Sequence, residues 1–150
     1  MSALSLPFLH GLSGVGPLLL RVMVGVTFLA HGWPKLLGGG SGLATSIARL
    51  GIPAATLVAW LVIVLEVVGG VMFIAGLLTR LVGLLMAFEM IGTTLLVKWP
   101  RSGFIAAQGS GCGAELDLAL FAGALAVVFI GPGVLAIDQL TVERRRPPAL

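Results

Sequence analysis

Four apolar stretches separated by short breaks rich in glycine and proline constrain this chain more than any other feature. The first, residues 17–37, reads PLLLRVMVGVTFLAHGWPKLL. At about 1.5 Å of rise per residue, about twenty residues cover the ~30 Å hydrocarbon thickness of a bilayer. The later stretches open near Pro53, Arg80 and Glu115 and close near Leu78, Trp99 and the GPG of residues 131–133. Only 10% of the 150 residues are charged, against about a quarter in soluble domains. The expected fold is therefore an all-α membrane protein, a single four-transmembrane-helix bundle. The glycines of residues 38–42 break the chain after the first span. Leu43, Ala44, Ile47 and Leu50 then recur at helical spacing and predict a short interfacial helix between the first and second spans.

Around this bundle, residues 1–16 are expected to lie at the interface and, lacking a charged n-region, to be retained rather than cleaved. Residues 139–150 form a basic, Pro-rich tail without regular structure. Arg21, Arg80 and the three arginines of residues 144–146 fall on the side of the termini; Lys35, Arg49, Lys98 and Arg101 fall on the other. The uninterrupted arginine run favours both termini in the cytoplasm. The formal charge of +3 is read as this topology signal rather than as an affinity for nucleic acid.

Ionisable residues inside spans cost on the order of 2.5–3.5 kcal/mol each, so each needs a partner or a wet niche. The first span carries Arg21, His31 and Lys35, the second Glu66, the third Glu89, and the fourth opens on Glu115 and Asp117. Counted from the termini side at about 1.5 Å per residue, Arg21 lies at about 6 Å, Glu89 at about 13, Glu66 at about 18, His31 at about 21 and Lys35 at about 27. Two structural ion pairs are expected from these depths, Arg21 with Glu89 and Lys35 with Glu115. His31 and Glu66 are candidates for a catalytic proton relay. Arg21, Gly32, Lys35 and Glu89 are candidate cofactor-binding residues around them, with Trp33 and Trp60 as an aromatic wall. A purely structural polar network remains the competing reading. No metal site is expected, because the Glu-x-x-His pairs of bundle di-iron proteins are missing. Cys112 is the single cysteine; it reads as a spare thiol, with a mixed disulfide to a partner as the alternative on an oxidising side. Nucleotide chemistry is not expected, because no strand–glycine–helix phosphate motif occurs.

The basic first span LLLRVMVGVTFLAHGWPKLLG, the lone Glu66, the hairpin GLLTRLVGLLMAFEM and the run GAELDLALFAGALAVVFIGPGVLAID occur in that order. In combination they resemble the DoxX family of small bacterial four-helix membrane proteins over roughly residues 17–138. The family pattern matches Arg21, His31, Gly32, Lys35, Glu66, Glu89, Glu115 and Asp138 without assigning them catalytic roles. After the GPG, where members often carry tyrosine or serine, this chain has Val134, Leu135 and Ala136. The resemblance implies the bacterial cytoplasmic (inner) membrane and a subunit of a quinone-linked oxidoreductase or of a thiol and oxidative-stress complex, with quinone as the cofactor. The expected partners are the lipid bilayer, protein subunits and a second copy of the chain. A non-catalytic anchor recruiting soluble redox enzymes is the alternative, and a small transporter or proton pathway a third.

Overall fold

The computed structural model describes residues 11, 13–105 and 113–143. Most of the expected N-terminal interfacial segment, Cys112 and the arginines of residues 144–146 lie outside the described residues. Among those described the chain is all helical: α1 (Val15–Leu37), α2 (Ser41–Arg49), α3 (Ala55–Ala75), α4 (Thr79–Ser102), α5 (Ala114–Ile130) and α6 (Ile137–Glu143). Helix α6 takes in the first residues of the expected unstructured tail.

Glycine sets the helix ends. Helix α1 closes where Gly39, at φ +65°, sends its N–H to Leu36 O while Gly40 N–H reaches Lys35 O. Helix α3 closes in the same way, with Gly76 at φ +72°, Gly76 N–H on Phe73 O and Leu77 N–H on Met72 O. Both are Schellman closures, which satisfy terminal carbonyls and reverse the chain. The turn after α3 is so short that α4 must run back along it.

Helices α1, α3 and α4 are long and apolar enough to cross a membrane by length and composition. Helix α5 has 17 residues, about 26 Å at 1.5 Å per residue. Helix α1 packs against α3 and α5, and α4 packs against the same two, so the four close into a ring. Phe28, Phe73, Val82, Met86, Ala124 and Val127 fill its centre. The expected interfacial helix is α2, which turns Ile47 inward and packs on α3.

Large apolar side chains cover the outside of the ring, Met23, Leu57, Leu81, Phe88 and Phe129 among them, while Arg21, Glu66, Thr79, Thr94 and Asp117 are buried. This is the distribution that lipid imposes, since a polar group in hydrocarbon has only the protein interior to satisfy it. Helix approach instead relies on small residues. A Cβ on Gly25 would stand 2.8 Å from Gly70 O, and one on Gly32 would stand 2.6 Å from Glu66 Cβ and 3.2 Å from the Glu66 carbonyl carbon. Gly32→Ala is therefore expected to destabilise the bundle by about 1–3 kcal/mol through overpacking. Gly92 lies in a helix with nothing near its missing Cβ, and Gly92→Ala should stabilise by up to about 1 kcal/mol through helix propensity. Unfolding of both variants in detergent checks the opposite signs.

Candidate functional site

The buried charges divide into two clusters at opposite ends of the ring. At the termini end, Arg21 is 1% exposed and uses its guanidinium as a three-way fork. Nε donates to Ile74 O at 3.1 Å, one terminal nitrogen to Pro132 O at 2.7 Å and the other to Leu135 O at 3.0 Å. The fork ties the end of α3 to the GPG turn. Gly76 stands so close that a Cβ there would meet the guanidinium at 2.6 Å.

Asp138 completes this end. Its two carboxylate oxygens accept the Leu78 and Thr79 N–H groups, both at 2.8 Å, at the start of α4. Leu78 itself sits at φ +48°, so α4 is capped from a distant segment rather than by its own residue. Burial pushes the Asp138 carboxyl up, but the N–H donors of Thr79 and Leu78 and the nearby Arg21 hold it below the ordinary carboxylate range. A depressed carboxyl contributes its stability in full above the unfolded value of about 3.9 and loses it as pH falls through the lower folded value. Asp138→Asn is thus expected to lower the unfolding temperature most near neutral pH, with the gap from wild type closing below about pH 4. Parallel thermal melts from pH 7 to 3 test this.

At the other end Lys35 Nζ donates to Glu66 Oε1 at 2.5 Å, with Glu66 3% exposed and Lys35 partly so. Helix geometry brings them together. Side chains tilt toward the N-terminus of their own helix, so on the oppositely directed α1 and α3 Lys35 leans down and Glu66 leans up. Gly32, one turn below Lys35, leaves room for the Glu66 backbone. Glu66 also lies in a π-helical turn, Leu65–Gly69, inside α3. Such turns insert a residue into the helix and recur at functional sites. A second π turn, Thr94–Lys98, interrupts α4.

Glu89 lies within electrostatic reach of Glu66, Lys35 and Asp117, and Asp117 within reach of Lys98, His31, Glu115 and Lys35. One oxygen each of Glu66, Glu89, Asp117 and Glu115, and the Thr94 hydroxyl, is buried without a protein partner. A half-open cavity of about 460 Å³ adjoins Lys35, lined by Pro34, Lys35, Gly38, Gly40, Ser41, Gly42 and Leu43. The arrangement offers an ammonium donor, several carboxylates able to exchange protons, and adjoining space.

Both expected ion pairs are corrected. Arg21 makes backbone contacts near Gly76, whereas Glu89 lies ten residues into α4, about 15 Å further along. Lys35 tilts inward to Glu66 rather than outward to Glu115, whose Oε1 instead accepts Gly113 N–H at 3.2 Å. Arg21 therefore stands away from the candidate cofactor cluster. His31 is on the exposed side of α1, and its Nδ1 is 2.8 Å from Thr27 O. It does not bond Glu66. Trp33 and Trp60 are 52% and 41% exposed, although the Trp60 ring approaches the Cβ direction of Gly40 at 3.7 Å beside the cavity. Asp117 and Thr94 join the cluster without having been singled out as site residues. Asp117 was legible as an acid at the head of the fourth span; a π turn has no sequence signature. No group of three or more His, Cys, Asp or Glu among the described residues is arranged to hold a metal ion.

The DoxX family model matches residues 16–99, a segment that holds Arg21, Lys35, Glu66 and Glu89 together. The chain belongs to the DoxX family. It is 32% identical over 88% of its length to CatD of Bacillus subtilis, named as a candidate oxidoreductase, covering 91% of that protein. It is 31% identical to the membrane protein Rv3486 of Mycobacterium tuberculosis, over 91% of this chain and 87% of that one. It is 32% identical to the inner membrane protein YqjF of Escherichia coli, over 86% of this chain and 94% of that one. No solved structure matches the chain. Like these DoxX relatives, it is a membrane protein in contact with the lipid bilayer.

Proposed function

We propose that the chain crosses the bacterial inner membrane four times, with both termini in the cytoplasm, and serves as the membrane subunit of a quinone-linked oxidoreductase. Helix α5 is the fourth span in this reading. Its acids are confined to its first turn, thirteen apolar residues follow, and its ~26 Å suits a thin bilayer.

The observation that carries the function is the buried Lys35–Glu66 pair beside the cavity, with oxygens of Glu66 and Glu89 left without partners. A quinone carbonyl needs a hydrogen-bond donor, which the Lys35 ammonium supplies. Reduction to the quinol takes up two electrons and two protons. The carboxyl groups around Lys35 carry protons, and a partner subunit's redox centre supplies the electrons. An isoprenoid tail would leave between helices into lipid. The name of the CatD relative is consistent with this class of chemistry.

Gentle extraction from the native membrane followed by mass spectrometry tests the reading. A stoichiometric quinone, lost from Glu66→Gln and retained in His31→Ala, supports it. Stoichiometric soluble partners with no bound quinone would overturn it in favour of an anchor whose buried charges only organise packing.

A further inference from the structure

The quinone reading requires protons to reach Glu66, which is buried behind the partly exposed Lys35, and the same end of the ring holds a series of acids on three helices. Glu89 lies against Glu66 and within electrostatic reach of Asp117, and Asp117 lies within electrostatic reach of Lys98, His31 and Glu115. The series spans three helices and ends where side chains reach the surface: His31 is exposed, and Glu115 and Lys98 are partly so. Each of the four acids keeps one buried oxygen without a protein partner. Glu66 and Asp117 are 3% and 5% exposed, and the unpartnered Thr94 hydroxyl, 3% exposed, lies on α4 between Glu89 and Lys98. Unmet buried polar atoms are what internal water bonds to. Chains of Asp, Glu and His inside membrane proteins are the groups that relay protons.

We propose that Glu66, Glu89, Asp117 and Glu115 line a hydrated proton path from the Lys35 site to the side of the membrane that carries α2 and the first turn of α5, with His31 and Lys98 at its mouth. The path rests on the proposed quinone chemistry for its purpose but not for its existence. Each proton accepted from water at Glu115 or His31 is handed inward between carboxyl oxygens and intervening water, and none is consumed on the way. Quinone reduction then draws its two protons from this side alone. At the opposite end the Arg21 fork and Asp138 commit their polar atoms to backbone partners, and the Thr79 hydroxyl alone is buried there without a partner among the described residues.

The test uses silver ion, which travels through water and reacts with thiols. In a Cys112→Ser background, single cysteines are placed at Asp117, Glu89 and Met86 of the full chain in oriented vesicles. Met86 is a fully buried apolar control. Variants are first matched for monodispersity, and Thr94→Cys replaces any that fails. Silver added on the α2 side should block Asp117→Cys and Glu89→Cys at least tenfold faster than Met86→Cys, and silver from the other side should not. Equal rates for Glu89→Cys and Met86→Cys, or faster block from the termini side, would overturn the path. Block as expected in protein that binds no quinone would retain the path and refute the cofactor.

Discussion

Replacing Lys35 by Met is expected to destabilise the bundle by about 3–5 kcal/mol, because it strands Glu66 as an unpaired buried acid. The Lys35 side chain is one-third exposed, and solvent screening places the loss toward the lower end of that range. The double variant Lys35→Met with Glu66→Met removes both charges and should recover most of the stability, since apolar pairs often substitute for buried ion pairs at little or no cost. Function should behave differently. Neither the single nor the double variant retains the donor for a quinone carbonyl, so binding should be lost in both. A purely structural pair would leave the double variant indistinguishable from wild type in every respect. Denaturant unfolding in mild detergent, run beside a cofactor assay on the same samples, separates the outcomes.

Arg21→Met should have a comparable or larger effect on stability and none specific to the cofactor. It removes charge-assisted donors from the carbonyls of Ile74, Pro132 and Leu135 and deprives Asp138 of its nearby cation. Hydrogen bonds to charged groups contribute about 1.5–3 kcal/mol each and do not add fully. A total loss of about 3–5 kcal/mol is expected. Arg21→Lys should rescue only part of it, because one ammonium cannot reproduce the planar fork that spans three carbonyls in different segments. Proteolysis would first reach the GPG turn and α6 in these variants, as the fork holds that segment to α1 and α3.

Much of the architecture was legible in the residues. The apolar runs located α1, α3, α4 and α5, and Arg21, Gly25, Phe28 and Gly32 of α1, spaced three or four residues apart, are buried together. Spacing alone carried depth but not direction. Arg21 and Glu89 are about 7 Å apart in a count of rises, yet Arg21 turns toward its own N-terminus and finds carbonyls at the end of α3 and in the GPG turn. The same tilt separates Lys35 from Glu115 and delivers it to Glu66. Asp138 was a family match without a physical role until the Leu78 and Thr79 N–H groups were found facing it. The π turn at Glu66 was hidden because no residue pattern in Leu65–Gly69 distinguishes it from the α-helix on either side. His31 lies off the inward face by the rotation of a single residue, enough to turn it to the outside.

The Lys35–Glu66 end of the ring is the proposed seat of the quinone headgroup. Trp33 and Trp60 stand near that end and provide a fluorescence signal, so titration of a short-chain quinone into nanodisc-embedded protein tests the claim directly. Saturable one-to-one binding to wild type and no saturable binding to an equally folded Lys35→Met, Glu66→Met double variant are expected. Equal binding to both proteins, or none to wild type, would contradict it.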